Sequence, residues 1–126
     1  MEALVKELLM KLVPQFGEKL TDKIFNYTLP AIRLRANLSP VDEKQTGQSR
    51  IGGNPDLPAG VPWPGQADNP LSFLLQINLA DSAKYPFNRD LPRKGLLSFF
   101  YDAQTQPWGY DPDDRGGWKV LYFDSI

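Results

Sequence analysis

The chain contains no cysteine and no histidine. Without cysteine no disulfide can staple the fold, so stability must come from a packed core, as suits a reducing compartment. The same two absences exclude zinc sites of the Cys/His type, thiol nucleophiles and imidazole general bases. Long apolar runs are missing too. The opening stretch MEALVKELLMKLVPQF is interrupted by Glu2, Lys6, Glu7 and Lys11, so neither a secretory leader nor a membrane span of about 20 residues is expected from it. A net charge of −1 leaves no cationic excess for nucleic acid. The expectation is a soluble, cytoplasmic protein with neither nucleic acid nor membrane as a partner. Glutamate is absent from residues 51–126, where all nine acidic side chains are Asp. Short carboxylates of this kind suit turns and strand ends, where they accept from nearby backbone N–H groups.

What is present is enough for one domain. The 126 residues are 41% hydrophobic and include fifteen aromatics, sufficient to bury well over half of the unfolded surface. Leu4, Val5, Leu8, Leu9, Leu12 and Val13 recur at helical spacing, and Phe16, Leu20 and Ile24 continue the stripe. Pro14 marks the break between two helices, or a kink in one. From Pro30 the period changes to two: Ile32, Leu34, Ala36 and Leu38 alternate with Arg33, Arg35 and Asn37 and predict a strand. A loop is expected over 40–48. Further strands are predicted at 71–79, 95–102 and 118–124, bounded by Pro and Gly clusters. No crossover helices separate them. The predicted fold is therefore α+β, with an N-terminal helix or helix pair (1–28) packed on a mainly antiparallel sheet (30–126) with long ordered loops.

Few patterns carry chemistry. WGYDPDDRGGW (108–118) offers Asp111, Asp113 and Asp114 as hard-metal ligands, but the stretch fails the EF-hand register because position twelve is Tyr122. A turn in which Asp caps backbone N–H groups is the competing reading. Arg33 and Arg35 share one strand face and, joined by Arg50, could clamp a carboxylate or phosphate, or pair with Asp. In FLLQINL, strict alternation puts Phe73, Leu75, Ile77 and Leu79 on one face and Ser72, Leu74, Gln76 and Asn78 on the other. The two amides must find partners, in an internal network or in a ligand. Trp108 is an aromatic near Pro and Gly that could join such a site or pack an irregular part of the core. SRIGGNPDLPAGVPWP (49–64), with four prolines and three glycines, reads as a stiff loop integral to the domain.

That last stretch, with PLSFLLQINLAD, LPRKGLLSFFYD and WGYDPDDRGGWKVLYFD, resembles the YwqG-like family in order and spacing over about residues 48–124. The resemblance implies a compact, cytoplasmic α+β domain of a bacterial family of unknown function, with no established catalytic site or cofactor. A toxin-neutralising or other partner-binding role is conceivable for such a family. Its members are about twice as long as this chain, which would make the chain a short form or an amino-terminal half able to form a homodimer through an exposed sheet edge. Expected, then, is a non-enzymatic binding or interaction domain without a cofactor, whose partner is another protein. The alternative is a carboxylate-dependent, metal-binding hydrolase using Asp111, Asp113 and Asp114.

Overall fold

The computed structural model describes residues 2–29, 31–35, 45–66, 68–85 and 91–125. They fall into two compact units, Met1–Ala31 and Ile32–Ile126. The first is helical: α1 (Glu2–Met10), α2 (Val13–Phe16) and α3 (Glu18–Asn26). Pro14 sits in the first turn of α2, where its missing N–H costs nothing. The larger break comes at Gly17, whose φ of +76° no side chain adopts readily. Thr21 is the buried residue of α3, and its hydroxyl donates to the Gly17 carbonyl at 3.0 Å, closing that joint.

The second unit is built on a four-stranded antiparallel sheet, so the fold is α+β. Its strands are β1 (Arg50–Ile51), β4 (Ser72–Asn78), β5 (Leu96–Tyr101) and β6 (Trp118–Phe123), in the order β1-β4-β5-β6. Between β1 and β4 lies a small hairpin of β2 (Gly65–Gln66) and β3 (Asn69–Pro70). A short helix, α4 (Leu79–Ala83), follows β4 directly. Asn78 ends the strand by accepting from the Ala80 N–H at 3.0 Å, so Leu79 begins a helix and does not extend the strand. The three downstream strands lie where their alternation predicted them. The strand predicted over 32–38 does not form over 31–35, which pairs with no described residue. Ala36 and Leu38 lie outside the described residues, as do 40–44 of the predicted loop. The fourth strand is Arg50–Ile51, too short for a periodic signal.

The faces of β4 differ from strict alternation. Phe73 pairs with Phe100, yet Leu75 pairs with Phe99, so Leu74 is an extra residue: a β-bulge. An inserted residue inverts the side on which all later side chains emerge. Phe73 therefore shares a face with Gln76 and Asn78, and Leu75 and Ile77 take the opposite one. This corrects the alternation read from the sequence. On β5, Leu96, Ser98 and Phe100 are buried on the first of these faces, here called inner. Leu97, Phe99 and Tyr101 point to the outer face and are partly exposed.

Proline-rich residues 52–64 lie against the inner face. The Trp63 ring meets Phe100 edge-on at 5.6 Å, and its indole N–H donates to the Leu71 carbonyl at 2.8 Å. Phe73 packs on Phe100 at 5.5 Å, and Leu71, Leu79 and Leu96 complete the buried apolar set. Each such side chain contributes about 1.5–3 kcal/mol when fully buried. The stretch is thus an ordered cover on the sheet.

Candidate functional site

Beside this apolar core the inner face carries a buried polar network. It begins where β1 ends. Gly52 and Gly53 both take positive φ (+70° and +72°), a turn that side chains resist. The Gly52 N–H still reaches the Leu74 carbonyl at 2.8 Å. Pro55 and Pro58 then restrict the path, and Asp56 comes back over β4. Its N–H donates to Gln76 Oε1 at 2.9 Å. Its carboxylate oxygen Oδ2 accepts from Gln76 Nε2 at 2.7 Å, from the Gly47 N–H at 2.8 Å and from the guanidinium of Arg50, its ion-pair partner. Gln76 also donates to the Gln48 carbonyl at 2.7 Å. Only 1% of Gln76 and 8% of Arg50 is exposed, so these bonds replace water that neither side chain can reach.

Burial is the largest single influence on the Asp56 carboxyl and would raise its pKa. The donors from Gln76, Gly47 and Arg50, with the Arg50 charge, outweigh it, and the group titrates below the usual range. Asn78 extends the network by donating to the Gly47 carbonyl at 2.8 Å. Ser49 links it to α4, accepting from the Asn78 N–H at 2.8 Å and donating to Asp81 at 2.6 Å. Among the described residues three buried side-chain atoms have no partner: Arg50 Nε in this network, Ser98 Oγ on β5 and Asn69 Oδ1 on β3.

Two shallow cavities adjoin the network. One, of about 290 Å³, is walled by the turn from Arg50 to Asp56. The other, of about 250 Å³, lies among Gly47, Asn78, Gly95 and Ser125. Both fall below the roughly 300 Å³ at which small-molecule pockets begin. The carboxylate facing Arg50 is the protein's own Asp56.

Of the candidate site residues, the structure brings Arg50, Gln76 and Asn78 into one network. Arg33 and Arg35 are exposed, in a stretch without regular structure, and make no bond to it. Trp108 lies elsewhere, on the loop between β5 and β6. Asp56, which connects Arg50 to Gln76, is the participant that sequence reasoning missed. Its placement between two prolines in PDLP is a turn signal and gave no hint of a long-range partner.

The β5–β6 loop is braced at both ends. Asp102 is buried at its start. It accepts from the Thr105 N–H (3.0 Å), the Thr105 hydroxyl (2.7 Å), Asn69 Nδ2 (2.6 Å) and the Gln104 N–H (2.9 Å). Those donors, the Thr105 N–H foremost, hold its pKa down to about 2. Asp111 and Asp114 form a capping box around a single 3₁₀ turn (Pro112–Asp114): Asp111 accepts from the Asp113 N–H at 2.9 Å, and Asp114 from the Asp111 N–H at 3.2 Å. Asp114 also accepts from the Gly109 N–H at 2.8 Å. Two of the three candidate metal ligands thus serve as caps. Among the described residues no group of three His, Cys, Asp or Glu is arranged to hold a metal ion.

The Tyr101 hydroxyl donates to the Pro107 carbonyl at 2.8 Å, and Gly109 passes beside the Trp118 ring. The braced loop thereby holds Trp108 and Tyr110 up with 96% of each exposed. Next to it lies the outer sheet face. Its positions on β6 are Trp118, Val120 and Tyr122, each between 43% and 49% exposed; on β1 it presents Ile51. With Leu75 and Ile77 of β4, and Leu97, Phe99 and Tyr101 of β5, this is a broad apolar surface. Ser72 is its one small polar member, and it holds no charged residue. The alternation within GLLSFFYD and WKVLYFD was a signal for such a face.

The model of the family described as Domain of unknown function (DUF1963) matches residues 49–126, more than half of the chain and every strand of the sheet. No curated protein matches the chain. Among the described residues no helix is long and apolar enough to cross a membrane.

Proposed function

The chain belongs to DUF1963, a domain of unknown function, and from that premise we propose that it is a non-enzymatic binding domain that engages a partner protein through its outer sheet face. One observation carries this reading: an uncharged apolar face flanked by Trp108 and Tyr110, which a braced loop holds almost fully exposed. Patches of that kind are uncommon on solitary proteins, and Trp and Tyr are the residues that dominate binding energy at interfaces. The inner-face network supports the same reading from the other side. The Asp56 carboxylate and the Gln76 and Asn78 amides are all paired within the protein, which makes the network a rigid floor rather than a receptor for a small ligand.

The narrower YwqG-like assignment is part of the proposal and is supported by the order and spacing of four sequence blocks. A cytoplasmic, toxin-neutralising role in a bacterial cell would be one use of such a face. The metal-dependent hydrolase gains no support, because Asp111 and Asp114 are occupied as caps.

The test is affinity capture with the tagged wild-type chain and with Val120→Lys, from cells that also express the untagged chain. The wild type should retain a stoichiometric protein that Val120→Lys loses. Equal retention by both, or no retained protein, refutes the outer-face reading.

A further inference from the structure

We propose that the partner on the outer face is a second copy of this chain, the two sheets packing face to face as a homodimer. This rests on the reading of that face as a binding surface and names its occupant. Three observations support a copy of the chain as that partner.

The first is charge. Ile51, the outer residues of β4 and β5, and Trp118, Val120 and Tyr122 include no acidic or basic side chain. Such a face offers nothing complementary to a basic or acidic protein, a phosphate backbone or a charged lipid surface. Against its own copy, related by a twofold axis, the strand part of the face meets an equally uncharged surface and juxtaposes no like charges.

The second is area. A fully buried aromatic accounts for about 150–250 Å². Trp108 and Tyr110 have almost all of that to bury, and Trp118 and Tyr122 a little under half. These four come to about 400–700 Å². Ile51 and Val120, 68% and 49% exposed, bring the patch close to the roughly 800 Å² per partner of a standard stable interface.

The third is shape. β5 and β6 pair without a slip over all six positions, from Leu96↔Phe123 to Tyr101↔Trp118. The outer face there is a regular pleat, and two such faces can interdigitate at about 10 Å, as in a sandwich.

The experiment is light scattering coupled to size exclusion on the purified full chain, loaded at about 100 µM. That is well above the micromolar Kd of the weakest interfaces of this size. The wild type should elute with twice the 14.2 kDa chain mass. Val120→Lys should return the single-chain mass with an unchanged far-ultraviolet circular dichroism spectrum. Should Val120→Lys fold poorly, the double variant Trp108→Ser/Tyr110→Ser supplies the same test, since both side chains stand in solvent and bear on no packing. It should raise the dimer Kd at least a hundredfold. A monomeric wild type overturns the proposal, and so does a dimer that survives both sets of substitutions. If the wild type is monomeric while capture retains a different protein that Val120→Lys loses, the choice of occupant is wrong and the binding reading stands.

Discussion

Replacing Gln76 with leucine tests whether the polar network stabilises the sheet unit or merely accompanies it. The change is nearly volume-conserving, so it opens little cavity and isolates the hydrogen bonds. It strands the Asp56 N–H, which donates to Gln76 Oε1, and takes the Nε2 donor from the carbonyl of Gln48, an exposed residue whose oxygen water can reach. A buried unpaired group costs about 1–3 kcal/mol. The Asp56 carboxylate keeps Gly47 and Arg50 as donors, so its loss of one bond is partial. The total is about 2–3 kcal/mol, the upper half of the range for one stranded group. With a urea m-value of about 2 kcal/mol/M, the unfolding midpoint should fall by about 1–1.5 M. Tryptophan fluorescence reads the transition, because Trp63 packs on Phe100 inside the unit. Leu74→Ser, at the exposed bulge, is the control and should move the midpoint by less than about 0.25 M, as surface changes usually stay within about 0.5 kcal/mol. If Gln76→Leu shifts the midpoint no further than this control, the network contributes no net stability and the reasoning fails.

Asp102 titrates at about 2 in the folded chain against an ordinary 3.8. A depressed folded pKa means stability that is complete above the unfolded value and is lost as pH falls from about 4 towards 2. Asp102→Asn should therefore flatten the decline in urea midpoint between pH 4 and pH 2.5; an unchanged slope would assign the acid sensitivity to other carboxylates, Asp56 first. Gly95 and Gly116 both hold φ near +100°, but a Cβ at Gly95 would strike the Phe123 carbonyl and the Tyr122 ring, while at Gly116 it meets open space. Gly95→Ala should thus lower the melting temperature clearly more than Gly116→Ala, and equal losses would mean that backbone strain alone accounts for both.

Much of this architecture was legible in the residues. Strands β4, β5 and β6 follow from apolar alternation between Pro/Gly clusters, because period two is a property of the backbone that side chains display directly. The helical stripe was equally plain, although Gly17, a lone glycine, hid a joint more consequential than Pro14. Two kinds of information were not local. The bulge at Leu74 leaves no trace in FLLQINL; it exists only as a register between two strands, and it decides which residues meet Gln76. The partnership of Arg50, Asp56 and Gln76 spans twenty-six residues of chain and depends on a turn that no periodicity encodes. Arg50, Gln76 and Asn78 stood out because polar groups in apolar strands demand partners. That their partner would be Asp56 required the path of the proline-rich cover. Trp108 stood out by type alone, and its exposure follows from caps at Asp111 and Asp114 that the DPDD spacing did suggest.

The bulge makes position 74 a residue that the two faces of β4 do not need. Leu74 is 41% exposed and has no register partner on β5. Deleting it would restore an unbroken pleat in which plain alternation keeps Phe73, Gln76 and Asn78 on the inner face and Leu75 and Ile77 on the outer one. One missing codon should therefore leave the dry and wet surfaces of the central strand where they are, whereas one added between Leu75 and Gln76 would exchange them beyond that point.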